Sequence, residues 1–255
     1  MNQTSIDLLA RLLDAPGPSG FERAPARLWR EAAAFADAVQ ADVGGNSFAT
    51  VHPAGGPSGA PRLMFAGHID EIGVMLIHVD EHGFCYFEPI GGWDPQVFVG
   101  QRVVLLGRNG AVPGVIGKQA IHLMDQADRD KLSKPHDLWI DIGATSRDEA
   151  LALVAIGDAG VLGSTVTHLP NGRIVSRSLD NRIGAFVVLE ALRRLAARPP
   201  APAGDRRRDH AGGDRLHWRR RAHLGHVARG PCGDRGRRDA RDRLARASRR
   251  SGTAR

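Results

Sequence analysis

The chain is poor in several residue types, and each shortage narrows its possible roles. Two cysteines among 255 residues, Cys85 and Cys232, are too few and too far apart for a disulfide framework. That fits a reducing compartment. No apolar run approaches the length of a membrane span. The N-terminal stretch MNQTSIDLLARLLDAPG has no basic segment leading into an apolar one of signal length. A cytoplasmic protein with no membrane partner is therefore expected. There is no internal repeat, and the glycines of GGNS and IGGW read as turns rather than a phosphate-binding loop. No glutamate follows Glu190, and no lysine occurs from Ala201 onward.

The charge is divided unevenly. From Ala201 to Arg255 there are 17 Arg and 6 Asp, a net of +11 (17 − 6). Residues 1–200 hold the remaining 18 basic and 22 acidic residues, a net of −4, so the whole-chain value of +7 misleads. Leu, Ile, Val and Phe supply only four of the last 55 residues. That is too little apolar surface to offset the ordering of the backbone, so 203–255 is expected to be a disordered, Arg-rich tail. Such a tail binds polyanions in a salt-dependent way. Its only aromatic residue is Trp218 and it holds no recognisable nucleic-acid motif, so no specific nucleic-acid partner is expected.

The first 200 residues are well patterned. Residues 4–14 read as a helix capped at Thr4, with Ile6, Leu9 and Leu13 on one face and PGPSG as its stop. Residues 22–40, rich in Ala, Arg and Glu, read as a second helix. RLMFAGHID reads as a buried strand emptying into a cleft. From Glu71 to Gly163 the texture changes to short strands: VMLIHV and FCYFEPI about the turn DEHG, RVVLLG and AVPGVIG about Asn109-Gly110, then LWIDIGAT. Ser146 with Glu149 opens one short helix there. STVTHL and RIVSRS form a hairpin about Pro170-Asn171-Gly172, and a helix runs from Arg182 to about Arg198, ended by Pro199-Pro200. The division is α/β flanks at 1–70 and 164–202, with a small β-rich domain or barrel inserted at 71–163. The flanks hold too few elements to cover both faces of a sheet.

His68 and Asp70 alternate about Ile69 at the carboxyl end of an apolar strand, where ligands of open α/β sheets gather. A neutral imidazole is a common ligand for zinc-like metals, and a nearby carboxylate fixes its tautomer. The plainer reading is a surface histidine beside a solvated aspartate. Asp180, in SRSLDNR before a helix, is either an N-cap or a carboxylate kept ionised by the helix dipole and free to bridge cations. Glu71 points to the other face if the strand continues. His78, His82, His122, His136 and His168 lack ligand spacing.

PGPSGFE, DVGGN, AGHIDEIG and SRSLDNRIGAF occur in an order and at spacings that resemble the tetrahedral metalloaminopeptidases, also called glutamyl or deblocking aminopeptidases and often labelled cellulase M. The resemblance covers roughly residues 5–200. It implies an α/β/α zinc-aminopeptidase-like catalytic domain, incomplete here, carrying an inserted β-barrel oligomerisation domain. It further implies a homo-oligomer, by resemblance a dodecamer, acting on peptides with two divalent ions, Zn or Co. His68 and Asp180 match the metal ligands, Asp180 bridging the two ions, and Asp70 matches the catalytic carboxylate that supports the metal-bound histidine. A glycosidase label has little support, since no pair of carboxylates flanking a sugar bond is evident.

The family's Gln-Glu-Glu segment, source of the general base and a further ligand, is missing. Gly212 and Gly213 stand in its place. Yet HAGGDRLHW, residues 210–218, is encoded by CAY GCN GGN GGN GAY CGN YTN CAY TGG. Read one base later, those triplets permit Thr-Gln-Glu-Glu-Ile-Gly-Tyr-Thr-Gly. The same shift lets DRGRRDARDR read Ile-Ala-Val-Asp-Val-Thr-His-Ala-Thr-Asp, the family's next metal-binding strand, with its Asp at the position of Arg237. The expectation is a frameshift after about residue 200. The chain as written then keeps His68, Asp70 and Asp180, lacks the base and other ligands, holds one weak metal site or none, and is inactive. The alternative is a non-catalytic remnant whose basic tail binds nucleic acid non-specifically.

Overall fold

The computed structural model describes residues 2–53, 63–129, 131–197 and 224–228. Helix α1 (Gln3–Asp14) buries Leu8, Leu9, Leu12 and Leu13, as its apolar spacing requires. Its cap is Asn2, whose side chain accepts from the Ser5 amide at 2.9 Å, and not the expected Thr4. Helix α2 (Arg23–Ala32) buries Pro25, Ala26 and Trp29. It stops eight residues short of the expected Gln40. Residues 38–41 instead form strand β1 (Ala38–Ala41), antiparallel to β2 (Ser47–Thr50). Two local features override the helical composition. The Asp37 amide donates to the Thr50 carbonyl at 2.9 Å, and the Asp42 carboxylate accepts from the Asn46 amide at 2.9 Å to make the turn.

Strand β3 (Met64–His68) leads into the barrel. Its strands are β4 (Gly73–Val79), β5 (Cys85–Ile90), β6 (Arg102–Gly107), β7 (Gly110–Gly117), β8 (Trp139–Asp141) and β9 (Ala159–Leu162), closed in the order β4-β5-β8-β7-β6-β9. The β4–β5 turn follows its DEHG sequence: Asp80 Oδ1 accepts from the His82 and Phe84 amides at 3.0 and 2.9 Å. In the β6–β7 hairpin, Gly107 pairs with Gly110, so the two-residue loop is Arg108-Asn109, one residue earlier than expected. A short helix α3 (Gln126–Arg129) lies between β7 and β8. Helix α4 (Arg147–Leu153) is capped by Ser146 as expected. The barrel interior is its own core, built from Val74, Leu76, Phe87, Phe98, Val103, Leu105, Ile116, Leu138 and Ile140.

The chain returns through the hairpin β10 (Thr167–Leu169) and β11 (Arg173–Val175), turning at Asn171 with φ 63°. Helix α5 (Leu179–Ala197) follows, irregular at Asp180 and Asn181. With α1 and α2 it forms a second core around Trp29, Ala49, Val51, Ile69, Ala185, Phe186 and Leu189. The Trp29 indole ties the helices together by donating to the Ala185 carbonyl at 3.0 Å.

Five residues of the tail, β12 (Leu224–Ala228), are a strand rather than the expected disordered chain. It lies antiparallel to β2 and parallel to β3, in the sheet order β1-β2-β12-β3. The slot between β2 and β3 presents unpaired backbone on both sides, and any strand placed there satisfies its own amides and carbonyls. LGHVA holds two of the tail's four large aliphatic residues, a local concentration that an average over 55 residues hides. The rest of 203–255 lies outside the described residues. No described helix is long and apolar enough to cross a membrane.

The barrel core generates a stability prediction. Phe87 is buried and meets Phe98 edge-on at 5.3 Å between ring centroids. Phe87→Ala is expected to cost about 3–5 kcal/mol, read as a lower midpoint in urea denaturation. A loss well under about 1 kcal/mol would mean the barrel is not packed around this ring.

Candidate metal centre

The site is assembled where β3 ends and α5 begins. The two elements touch at Gly67: a Cβ there would lie 2.8 Å from the Ala185 nitrogen and 2.9 Å from the Gly184 carbonyl carbon. No side chain fits that gap, and the contact sets His68 beside the first turn of α5. His68 Nδ1 stands 2.8 Å from Asp70 Oδ1, and His68 Nε2 stands 3.1 Å from Asp180 Oδ1. The Asp70 side chain is nearly buried, His68 is about one-third exposed, and Asp180 is 93 % exposed. Ser19 Oγ donates a short hydrogen bond to Asp70 Oδ2. The structure thus brings His68, Asp70 and Asp180 together.

The N-cap reading of Asp180 does not describe what is seen. Asn181 takes that role, its Oδ1 accepting from the Gly184 amide at 3.1 Å. The Asp180 carboxylate is left pointing at the imidazole. With Nδ1–H donated to Asp70, Nε2 turns its lone pair toward Asp180. Two acceptors at 3.1 Å attract only when positive charge lies between them, as a proton on Nε2 or a metal ion.

An imidazole backed by a carboxylate, beside an exposed carboxylate, is a fitting donor pair for a divalent cation. It is also incomplete. Among the described residues no group of three His, Cys, Asp or Glu is arranged to hold an ion, since Asp70 is committed to Nδ1. The pair fits one edge of one ion's shell, where a zinc-like ion takes about four ligands. Gly212, Gly213 and Arg237 lie outside the described residues.

Ser19, Glu71 and Arg182 back this site structurally, a role the residue pattern does not assign them. The strand ends at His68, so Glu71 lies past it. It is buried against two arginines, with Arg182 Nη2 at 2.9 Å and Arg177 Nε at 2.8 Å. Burial pulls the Arg182 guanidinium below its ordinary pKa, and the Glu71 charge pushes it back up. Ser19 sits in PGPSG, a motif whose only local signal was that of a helix stop. A bridge between Pro18 and Glu71 presses that loop onto the end of β3, the Ser19 amide donating to the Glu71 carbonyl at 3.1 Å. Periodicity signals neither contact.

The remaining candidates lie elsewhere. His78 packs on Tyr86, His136 is 3.4 Å from Asp137 at the surface, and His82, His122 and His168 are exposed. Cys85 is buried in the barrel, its thiol pushed up to about 11 by burial and by the charges of Asp80 and Asp141. It is no nucleophile at neutral pH.

The family described as M42 glutamyl aminopeptidase matches residues 45–201. A putative aminopeptidase of Acetivibrio thermocellus is 36 % identical over 192 residues, covering 74 % of this chain and 54 % of the relative. The TET aminopeptidase of the marine sediment archaeon Thaumarchaeota archaeon SCGC AB-539-E09 superposes with a TM-score of 0.72 at 37 % identity, covering 77 % of this chain and 55 % of that one. The TET1 peptidase of Pyrococcus horikoshii, described as assembling into a tetrahedron or a large octahedral shell, gives a TM-score of 0.66 at 33 % identity over 76 % of this chain and 57 % of that one. The chain spans about half the length of the relatives it matches. By its match over residues 45–201 and its likeness to these aminopeptidases, the chain belongs to the M42 glutamyl aminopeptidase family.

Proposed function

We propose that the protein derives from a metal-dependent aminopeptidase that hydrolyses N-terminal residues from peptides. His68 and Asp180 are the metal ligands in this reading, and Asp70 is the catalytic carboxylate behind the imidazole. The observation that carries it is His68 held between two carboxylates, 2.8 Å from Asp70 and 3.1 Å from Asp180. A pair of divalent ions, Zn or Co, would supply an activated water at neutral pH and polarise the scissile carbonyl when held there. The chain's own residues prepare for this. Ser19 and His68 share the two oxygens of Asp70, so the imidazole is fixed in the tautomer that leaves Nε2 free to coordinate. Asp180 directs one oxygen at that position, where it would hold an ion beside the imidazole.

The base and the remaining ligands are absent from the chain as written, where Gly212, Gly213 and Arg237 occupy the matching positions. We therefore read it as inactive, with a frameshift after about residue 200. The barrel is the oligomerisation module in this reading. Its connections expose Val97, Val99, Ile121, Leu123 and Leu132, apolar side chains that a self-association surface would cover. A homo-oligomer, a dodecamer by family resemblance, and a cytoplasmic location complete the proposal.

Two experiments follow. The chain as written is expected to show no turnover of chromogenic amino-acid amides with added Co²⁺ or Zn²⁺. A chain expressed with the reading frame shifted by one base between the codons for Arg198 and Asp205 is expected to turn them over, and His68→Ala or Asp180→Ala is expected to abolish it. Turnover by the chain as written, or survival of activity in His68→Ala, contradicts the reading. Sedimentation of the chain as written tests the barrel: replacing Ile121, Leu123 and Leu132 together by Asp is expected to shift any oligomer to monomer. An unchanged oligomer places the interface elsewhere.

A further inference from the structure

We propose that Arg182 is a positioning residue for the metal-facing pair, holding the separation between His68 and Asp180 from behind. The inference rests on reading those two side chains as ligands. The Arg182 side chain is fully buried, and its guanidinium joins three segments that are distant in sequence. Nε donates to the carbonyl of Ile69, the residue between His68 and Asp70, at 2.8 Å. Nη1 donates to the Leu12 carbonyl at 2.8 Å and makes a short bond to the Ala15 carbonyl, at the open end of α1. Nη2 meets Glu71 Oε1 at 2.9 Å. Arg182 itself lies two residues past Asp180. One planar group therefore grips the backbone beside one ligand while being carried by the backbone of the other.

The tie works together with the contact at Gly67. The residue before His68 is pressed against Gly184 and Ala185, and the residue after it is held by Arg182. His68 is fixed on both sides relative to the start of α5, so its Nε2 has little freedom to drift from Asp180. Glu71 serves the same end, since its Oε1 also accepts from the Gly17 amide at 3.0 Å and so keeps the guanidinium in place. A lysine at position 182 would keep the charge. It has no fork of donors to reach Ile69, the end of α1 and Glu71 at once. Arg177 provides a contrast. It shares Glu71, but its Nη2 donates to the Asp14 carbonyl at 2.7 Å and it makes no bond to His68, Ile69 or Asp70.

The test is a Co²⁺ titration of the full chain, followed by the NMR signal of the His68 imidazole and assigned with His68→Ala. Arg182→Lys is expected to raise the Kd about 10–100-fold, the usual effect of losing a residue that orients a ligand, while Arg177→Lys stays within about threefold of wild type. Thermal melts of both variants separate this from general destabilisation, which would move the melting temperature of each without singling out metal binding in Arg182→Lys. A folded Arg182→Lys protein with wild-type Kd overturns the proposal, and so does equal weakening by Arg177→Lys. If Arg182→Lys does not fold, the wild type decides. Saturating Co²⁺ is expected to slow hydrogen exchange at the Gly17 amide, because coupling between ligand pair and buried cluster is reciprocal. Unchanged exchange overturns the proposal. A wild type whose His68 signal ignores Co²⁺ refutes the ligand reading itself and this inference with it, whereas a responding wild type whose Kd is unchanged in Arg182→Lys refutes only the role of Arg182.

Discussion

The arrangement depends on a charge that has been taken out of water. Arg182 is fully buried, and the cost of desolvating a guanidinium is several kcal/mol even after relaxation. It is tolerable because Glu71 lies 2.9 Å away and because main-chain carbonyls from Leu12, Ala15, Gly17 and Ile69 take the remaining donors. The dependence is mutual. Without Arg182, the carbonyls at the end of α1 lose their partner in a place water does not reach. Without Glu71, an uncompensated cation sits in the core. The short α1 therefore needs no glycine cap of its own, since a side chain from α5 supplies the donors that its last turn lacks.

That cluster explains how two distant stretches make one site. Ile69 and Arg182 are 113 residues apart in sequence, with the whole barrel between them. The barrel has a separate core, and apart from Glu71 at its threshold the ties that hold His68 near Asp180 lie outside it. The α/β flanks do that themselves, through Trp29 bonded to Ala185, Gly67 against Ala185, and Arg182 across the gap. An inserted module placed between β3 and α5 is free to carry a surface of its own while the site is tied together beneath it.

Much of this was legible in the residues, and the pattern of what was not has physical causes. Hairpins whose turns are written in the local sequence, such as DEHG with its Asp80 acceptor or Pro170-Asn171-Gly172 with a positive φ at Asn171, were readable to within a residue. The composition of residues 22–40 overstates helix α2, because Ala, Arg and Glu favour helix wherever nothing competes, and only the pairing of Ala38–Ala41 with β2 reveals the competitor. Strand β12 was invisible because ladder bonds are made by backbone, which composition does not weigh. Alternation and the motif resemblance point to His68, Asp70 and Asp180, and the structure brings these three side chains together. Glu71 and Arg182 stand in the same motifs, yet their burial is not legible there. A charged residue carries no signal of burial until its partner, far away in sequence, is known to face it.

The most direct measurement is anomalous diffraction from crystals of the full chain soaked in Zn²⁺, which needs neither turnover nor a corrected reading frame. The account predicts a peak within about 2.0–2.2 Å of His68 Nε2 and of an Asp180 oxygen, with Asp70 still on Nδ1 and with the ion's remaining positions filled by water. An ion bound at Asp70 instead, or a soaked crystal in which His68 and Asp180 remain in direct contact while zinc occupies other sites, would contradict the claim that these two side chains are drawn together to hold a metal.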